Sequence, residues 1–398
     1  MQLQNNTCIY CNKEKNTDEF SLEHIFPDSL GGAFANNIFK TRQVCRKCNS
    51  LSGLYVDSSF VKNFFSTALP AFSDYLGYYD FEKKPIIPFS YMGFVEYIKH
   101  PNFKYCEKWL WCGGSMVYHF HNNSTESFET IAGGDPRKRK GKDAGEVYLV
   151  GLTDNPFWVE LLLNSFIKQF KKSKKISVNY ILPNQSSESL STEQQNIKKE
   201  LFTIHQSKDM QKHTMPINID FNVRFQAKLS IGLGYSLFGK QFSASSEADF
   251  YRDVFWNKDH KKLIELQPKM MSFFSKEKNE LEKFMKFLNF KGCHGLFFIP
   301  VNNTLVFYGN LYGENQYPIL TVITNKLDTY EHELIKKYPY GWGYILVPQR
   351  ELCIGEIEIP NILAFNTGDK SFLPELSELE SLYQDQNQLP PFNIEKND

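Results

Sequence analysis

The chain has 398 residues, of which 41% are hydrophobic and 15% aromatic. This composition suffices for globular cores and excludes wholesale disorder, and the length predicts two or three domains. The formal net charge is zero, because 45 lysines and arginines balance 45 aspartates and glutamates. The chain therefore lacks the overall basic excess of many nucleic-acid binders, although local basic segments exist.

Residues 1–60 contain two CxxC pairs on either side of a Glu-His dipeptide. The cysteines are Cys8, Cys11, Cys45 and Cys48. The segment 21–26 is typical of a short strand, and 38–44 of a second strand that returns beside it. Glycines and asparagines between these segments favour a reversal of the chain. A helix is predicted after Asn49, and Gly53 should divide it into two pieces.

Residues 61–185 are predicted to mix short strands with helices. Strand-like segments lie at 115–120 and 146–150. A helix should begin at Pro156, which suits a first helical turn, and end at the lysine-rich segment 171–175. Residues 186–215 are rich in polar and charged side chains, which favours a linker, with a charged helix over 193–202 as an alternative.

The last part of the chain is predicted to change from helical to β-rich. Residues 216–290 have helical patterns, whereas short apolar segments separated by Asn, Gly and Pro predict strands within 294–360. We expect 216–365 to form a C-terminal recognition or sensor domain. The acidic segment 366–398 is expected to be a flexible tail.

The spacing of the four cysteines is typical of a structural zinc site. Four thiolates suit a closed tetrahedral Zn²⁺ site, and two CxxC pairs in one short segment are a specific signal for it. A disulfide framework is the poorer alternative in a chain with cytosolic character. We therefore expect one zinc ion bound to Cys8, Cys11, Cys45 and Cys48.

The side chains between and beside the cysteines suit a second, harder cation. Glu23 and Asn49 offer oxygen ligands, and His24 carries an imidazole that titrates near neutral pH. A divalent cation promotes phosphodiester hydrolysis by polarising a phosphoryl oxygen, and a nearby base removes a proton from water. This combination predicts cleavage of a phosphodiester. For Asn49, a helix cap is the structural alternative.

Taken together, these residues resemble an HNH endonuclease of the variant that closes with CxxCN. The resemblance covers residues 5–60 and depends on the cysteines, Glu23-His24-Ile25-x-Pro27, Gly31-Gly32 and Asn49. It implies a ββα-metal fold with a distorted backbone near Glu23. A weaker resemblance, over 225–256, is to a helical segment common downstream of such domains.

The resemblance also implies roles for individual residues. His24 is expected to be the general base, and Glu23 and Asn49 the ligands of a catalytic Mg²⁺ or Mn²⁺. Glu23 stands where many members have Asp. The family has a further asparagine that orients the base, for which Asn37 is our choice. Asn36 is the alternative, and a simple Asn-Asn turn is the structural explanation for both.

Several basic residues are candidates for contacts with DNA phosphates, which act without reading sequence. They are Arg42, Arg46, Lys47, Arg137, Lys138, Arg139 and Lys140. A solvated surface is the alternative for each. We expect a DNA endonuclease in restriction or antiphage defence. The alternatives are a nuclease gated by an activating ligand and a non-catalytic zinc-ribbon module that binds nucleic acid or protein.

The predicted fold class is α+β. A zinc-stapled ββα-metal module at 1–60 should precede a larger mixed α/β region with a β-rich C-terminal part. No run of about 18 apolar residues exists, so no membrane span is expected. The chain start lacks the apolar core of a signal peptide, and zinc-binding thiols favour a cytoplasmic location. A homo-oligomer is left open.

Overall fold

The computed structural model describes residues 5–61, 76–122, 145–181, 190–206, 219–270, 284–384 and 389–392. Contacts between these residues separate two compact units. The described parts of the first unit are residues 5–60, 76–79, 219–270 and 284–384. Those of the second unit are residues 61, 80–122, 145–181, 190–206 and 389–392. The predicted α+β class is confirmed.

The N-terminal module of the first unit consists of two small antiparallel hairpins and a helix. Strand β1 (Asn5–Thr7) pairs with β2 (Glu14–Asn16), and β3 (Phe20–His24) pairs with β4 (Lys40–Cys45). Helix α1 (Arg46–Ser52) follows β4 without a loop. The order β3–β4–α1 is the ββα arrangement that the sequence predicts.

Two 3₁₀ turns, Asp28–Leu30 and Asn37–Phe39, carry the chain from β3 to β4. Glycine is required at position 32, because a Cβ there would overlap the carbonyl oxygen of Phe26. The side chain of Asn36 caps the second turn, since its Oδ1 accepts a hydrogen bond of 3.1 Å from the Ile38 amide. The connection is therefore held by specific local contacts.

Helix α1 ends at Gly53, but the chain remains helical beyond it. The chain continues as a π-helical turn at Gly53–Asp57 and then as helix over residues 58–61. Gly53 has ordinary right-handed helical angles, φ −59° and ψ −37°. A single glycine costs a helix only about 1 kcal/mol, which the neighbouring turns can offset. The predicted division at Gly53 is therefore present, as a change from α-helical to π-helical geometry and not as an interruption of the helical chain.

The second unit is built on a five-stranded sheet with the order β5-β6-β7-β8-β9. Its strands are β5 (Ser90–Phe94), β6 (Tyr105–Leu110), β7 (Met116–His121), β8 (Glu146–Val150) and β9 (Lys174–Ser177). Only the β8–β9 pair within this sheet is parallel. Two helices complete the described part, namely α2 (Pro156–Gln169) and α3 (Thr192–Gln206).

The sequence predicted one helix of the second unit, α2, and gave the other, α3, as the alternative to a linker. The predicted start of α2 is confirmed, since Asn155 is its N-cap and Pro156 its first residue. Helix α3 lies inside the predicted linker 186–215 and contains the predicted charged helix. It buries Ile197 and Leu201 in the core beside β7 and β8, so this part of the segment is folded.

The rest of the first unit begins with three helices and ends with a second sheet. The helices are α4 (Ile219–Ser243), α5 (Ser246–Trp256) and α6 (His260–Met270). The sheet is antiparallel throughout, with the order β12-β11-β10-β13-β14. Its strands are β10 (His294–Val301), β11 (Thr304–Leu311), β12 (Glu314–Thr324), β13 (Trp342–Val347) and β14 (Leu352–Glu358).

Three short helices accompany this sheet, namely α7 (Glu333–Lys337), α8 (Ile359–Asn366) and α9 (Pro374–Ser381). Helix α9 buries Leu376 and Leu379 in the core that contains Tyr308 and Ile345 of the sheet. The described residues from 366 to 384 are therefore folded, whereas the sequence predicts a flexible tail. Within the described ranges, no helix combines the length and apolar character needed to cross a bilayer.

An aromatic cluster packs the N-terminal module against the C-terminal sheet inside the first unit. The Phe39 ring lies 5.8 Å from Phe298, 6.2 Å from Phe307 and 5.4 Å from Tyr344, measured between ring centroids. Phe39 itself is fully buried. Burial of one such ring contributes about 2–3 kcal/mol. The module and the sheet therefore share one hydrophobic core.

Candidate functional site

The four predicted zinc ligands come together in the N-terminal module. The sulfur atoms of Cys8, Cys11, Cys45 and Cys48 all lie within 4.8 Å of one another. Among the described residues, this is the one group of three or more His, Cys, Asp or Glu side chains that could hold a metal. The donor set fits tetrahedral Zn²⁺, whose bonds to thiolate are about 2.3 Å long.

Local backbone structure places each cysteine pair. In the first pair, Asn12 takes left-handed angles (φ 53°) and its amide donates to the Cys8 carbonyl at 2.8 Å. In the second pair, Cys45 is the N-cap of α1 and Cys48 lies in its first turn. A hydrogen bond from the Cys48 thiol lowers the pKa of Cys8, and the same contact raises the pKa of Cys48, so these two thiols share a proton between their sulfur atoms.

Glu23 and His24 lie at the end of β3, beside an irregularity in the strand pairing. Ser21 pairs with Val44, but Glu23 pairs with Thr41, so the register shifts between them. Such a bulge disturbs the simple alternation of side chains along a strand. Glu23 is 3% exposed, whereas His24 is half-buried. The backbone distortion implied by the resemblance is therefore present at this position.

The Glu23 carboxylate lies in a buried ion-pair network. Lys228 Nζ lies 2.8 Å from Glu23 Oε1, and the Tyr10 hydroxyl donates to the same oxygen at 3.2 Å. Lys228 Nζ also lies 2.7 Å from both carboxylate oxygens of Asp57. A further hydrogen bond, of 3.0 Å, runs from Lys228 Nζ to the main-chain oxygen of His24.

Burial and charge act in opposite directions on this network. Burial raises the pKa of Glu23 to about 7, although the Lys228 ammonium opposes the rise. Burial lowers the pKa of Lys228, but the Asp57 and Glu23 carboxylates together outweigh it and the net shift is upward. Lys228 is therefore charged at neutral pH. An ammonium 2.8 Å away favours the carboxylate form of Glu23 over the protonated form.

Asn49 connects α1 to the irregular part of β3. Its Nδ2 donates to Ser21 Oγ at 3.0 Å and to the Leu22 carbonyl at 2.7 Å. Cys45 is the N-cap of this helix and Gly53 its C-cap, so Asn49 caps neither end. The capping alternative for Asn49 is therefore wrong. Its amide is held against the strand that carries Glu23 and His24.

Each predicted oxygen ligand has one oxygen atom to which no described residue donates a hydrogen bond. Within the described residues, no hydrogen bond involves Asn49 Oδ1, because Nδ2 makes both contacts to β3. Likewise, Tyr10 and Lys228 contact Oε1 of Glu23, and no described residue donates a hydrogen bond to Oε2. Carbonyl and carboxylate oxygens of this kind are the ligands that Mg²⁺ and Mn²⁺ prefer.

The asparagines predicted to orient the base and the predicted phosphate-binding residues have different surroundings. Asn37 is exposed at the start of its 3₁₀ turn, while the side chain of Asn36 is used as the cap of that turn. Arg42 on β4 and Arg46 and Lys47 in the first turn of α1 are exposed near the second cysteine pair. The other predicted phosphate-binding residues, Arg137, Lys138, Arg139 and Lys140, lie outside the described residues.

Sequence reasoning assigned no role to three residues that lie far along the chain and donate hydrogen bonds to the N-terminal module. Besides Lys228, they include Arg252, whose Nε donates to the Ile9 carbonyl at 2.8 Å. Trp256 Nε1 donates to the Tyr10 carbonyl, also at 2.8 Å. The weak resemblance over 225–256 contains all three residues. The sequence did contain one indication of this role. Lys228 lies inside an apolar helical segment, and a buried lysine needs charged or polar partners elsewhere in the fold.

One comparison with known proteins found a match for the N-terminal module. Residues 8–65 match the family model described as HNH endonuclease. That segment contains the four cysteines and Glu23, His24, Asn37 and Asn49. Neither the curated proteins nor the solved structures contain a match to the chain. The N-terminal module, with its cysteine cluster and its β3–β4–α1 order, is therefore similar to the HNH endonuclease family over residues 8–65.

Proposed function

We propose that the protein is a metal-dependent endonuclease that hydrolyses DNA phosphodiester bonds. The observation that carries the proposal is the juxtaposition of β3 and α1 within the segment that matches the family. Asn49 of α1 is hydrogen-bonded to β3 at Ser21 and Leu22, immediately before Glu23 and His24. These two hydrogen bonds bring the α1 residue Asn49 beside the strand positions that precede Glu23 and His24.

The residues have distinct roles in the proposed reaction. His24 removes a proton from the attacking water, and Asn37 orients the imidazole. Glu23 Oε2 and Asn49 Oδ1 would hold a divalent cation, which would polarise the scissile phosphate and stabilise the leaving oxygen. The four thiolates hold zinc and keep the ends of β4 and α1 in place.

Exposed basic residues support binding of the DNA backbone. Arg42, Arg46 and Lys47 lie on the two elements that carry the second cysteine pair. Each can contact a phosphate that flanks the scissile bond, and such contacts do not depend on base sequence. We propose the same role for Arg137, Lys138, Arg139 and Lys140.

The remainder of the chain is much larger than a nuclease centre requires. We propose that it recognises DNA or an activating ligand and restricts cleavage to foreign or modified DNA in the cytoplasm. Restriction or antiphage defence would use such an arrangement, although fold alone does not specify function. Protection of cells from phage by the wild-type gene, and its loss with His24→Ala, would support this role.

The test of the nuclease proposal is DNA cleavage by purified protein. Plain and modified plasmids are incubated with wild type, His24→Ala and the control His260→Ala, with Mg²⁺ or Mn²⁺. His260 is an exposed histidine on α6, remote in sequence from the module. We expect cleavage by wild type and His260→Ala only. Full activity of a folded His24→Ala protein would contradict the assignment of His24.

One observation favours a second candidate, a non-catalytic zinc-ribbon module that binds nucleic acid or protein. Glu23 Oε1 already has an internal cation partner in Lys228, as a purely structural carboxylate would. Under this alternative, the wild-type protein binds DNA or a protein partner, retains zinc and cuts no substrate in any cation. The plasmid experiment therefore separates the two candidates.

A further inference from the structure

We propose that Lys228 is a positioning residue of the nuclease centre, which holds Glu23 and the main chain of His24 in place for cation binding and catalysis. This inference rests on the proposed function. It concerns a residue far outside the segment that matches the family. Lys228 does not touch the reacting atoms in this proposal; it acts through two residues that do.

The first argument is burial. The Lys228 side chain is fully buried, and Glu23 is 3% exposed. Taking an ammonium out of water costs several kcal/mol unless charged partners and hydrogen bonds compensate. Here the partners are two carboxylates and one carbonyl oxygen, all at 2.7–3.0 Å from Nζ. These three groups therefore hold the Lys228 ammonium in one position.

The second argument is the choice of partners. Lys228 contacts the main-chain oxygen of His24, the proposed base, and the side chain of Glu23, the proposed cation ligand. Metal-binding carboxylates are commonly oriented by hydrogen bonds to their other oxygen. Contact at Oε1 leaves Oε2 of Glu23 for the cation. One lysine thereby determines the position of two adjacent functional groups on β3.

The third argument is the charge of the cluster. Two carboxyl groups, those of Glu23 and Asp57, lie within 2.8 Å of the single ammonium of Lys228. One of them, Glu23, is a predicted cation ligand, so a divalent cation bound there would bring further positive charge to the pair of carboxyl groups.

The fourth argument is the close approach of α4 to Ile25, the residue that follows His24. Gly232 lies one helical turn after Lys228, on the same face of α4. A Cβ at Gly232 would lie 2.6 Å from Ile25 Cγ2, so only glycine allows the helix this close to the residue after His24. The helix that carries Lys228 therefore packs closely against the side chain of the residue that follows the proposed base.

The experiment compares variants that remove the buried Lys228 ammonium with or without one of its two carboxyl partners. Lys228→Met alone leaves two carboxylates without a cation, which could prevent folding. Lys228→Met/Asp57→Leu removes one positive and one negative charge, so the cluster keeps the wild-type net charge. Asp57→Asn retains the contacts of Lys228 with Glu23 and His24. Lys240→Met is the matched control, because Lys240 is an exposed lysine on the same helix.

The readouts are DNA cleavage, Mn²⁺ binding to zinc-loaded protein by calorimetry, zinc content and unfolding. For the double variant we expect retained zinc, a cation requirement about 10- to 100-fold higher and a similar loss of cleavage rate. Asp57→Asn should be much less affected, and Lys240→Met unaffected. A folded double variant with wild-type cleavage and wild-type Mn²⁺ affinity would overturn the inference.

The outcomes also separate this inference from the proposed function. If wild type binds Mn²⁺ but cuts no DNA, the nuclease proposal fails, and weaker Mn²⁺ binding by the double variant still supports the role of Lys228. If wild type cuts DNA and the double variant does so equally well, only the role of Lys228 fails. If wild type neither binds Mn²⁺ nor cuts, both are wrong.

Discussion

Arg252 Nε donates a hydrogen bond of 2.8 Å to the carbonyl oxygen of Ile9, a residue 243 positions earlier in the chain. Ile9 lies between the two cysteines of the first pair. Trp256, one turn further along α5, donates to the carbonyl of the next residue, Tyr10. Helix α5 therefore holds the main chain of the first CxxC turn, and the cysteine cluster and the C-terminal part of the first unit should unfold together.

Replacement of Arg252 by methionine should destabilise the first unit and loosen the zinc site. Arg252 also binds the exposed Asp249 and the half-buried Ser243, so the change removes these contacts and leaves the buried Ile9 carbonyl without its donor. We expect a loss of about 2–4 kcal/mol in the free energy of unfolding. Urea unfolding and the rate of zinc release to a colorimetric chelator measure the two effects. The exposed Lys262→Met should change stability by less than about 0.5 kcal/mol. A wild-type rate of zinc release from Arg252→Met would contradict this prediction.

Replacement of Cys45 by serine should abolish stable zinc binding and unfold the N-terminal module. Zinc binding supplies roughly 10 kcal/mol or more in small zinc modules, and three ligands hold the ion much less tightly. Elemental analysis should give one zinc per chain for wild type and for the control Cys353→Ser. Cys353 lies on β14, outside the cluster. Freshly purified wild-type protein without zinc would rule out the assignment.

Replacement of His24 by alanine should abolish cleavage and preserve DNA binding and zinc content. Loss of a general base typically lowers the rate by about 10²–10⁴-fold. Because His24 is half-buried, thermal unfolding must show that the variant is folded. Single-turnover cleavage at saturating protein then isolates the chemical step. A rate within about threefold of wild type would remove His24 from the mechanism.

Substitution of the oxygen ligands should change the cation requirement more than DNA binding. Asn49→Ala removes Oδ1 together with the two hydrogen bonds to β3, whereas Asn49→Asp keeps an oxygen ligand. We expect Asn49→Ala and Glu23→Gln to need at least tenfold more Mg²⁺ or Mn²⁺ for half-maximal cleavage. A mild chelator should stop wild-type cleavage before it removes zinc. If a variant loses activity but needs the same cation concentration for half-maximal cleavage as wild type, the substituted residue does not hold the cation.

Removal of basic side chains near the second cysteine pair should weaken DNA binding in a salt-dependent manner. If Arg42, Arg46 and Lys47 each neutralise one phosphate, each alanine substitution should reduce the slope of log affinity against log salt by about 0.9. Fluorescence anisotropy in the His24→Ala background measures binding without cleavage. Lys336→Ala on α7 serves as a control with an exposed lysine outside the module. An unchanged slope in the triple alanine variant would show that these residues bind no phosphate.

The sequence alone determined the chemistry of the N-terminal module. Residues three positions apart in a CxxC turn are near neighbours in any fold, so four thiolates in two such pairs already predict zinc. The order strand, reversal, strand and helix also follows from local patterns, because turn glycines and asparagines and alternating apolar residues act over short distances. For this reason the ββα arrangement and the cysteine cluster could be predicted.

Only the tertiary structure decided what surrounds that chemistry. The contacts of Lys228 with Glu23 and of Arg252 with Ile9 join residues hundreds of positions apart, and no local pattern encodes such pairs. The folded α9 and the helical continuation past Gly53 depend on packing that outweighs weak local preferences. The N-terminal module matches the family model by itself, but the burial of Lys228 and Phe39 makes it part of a larger core.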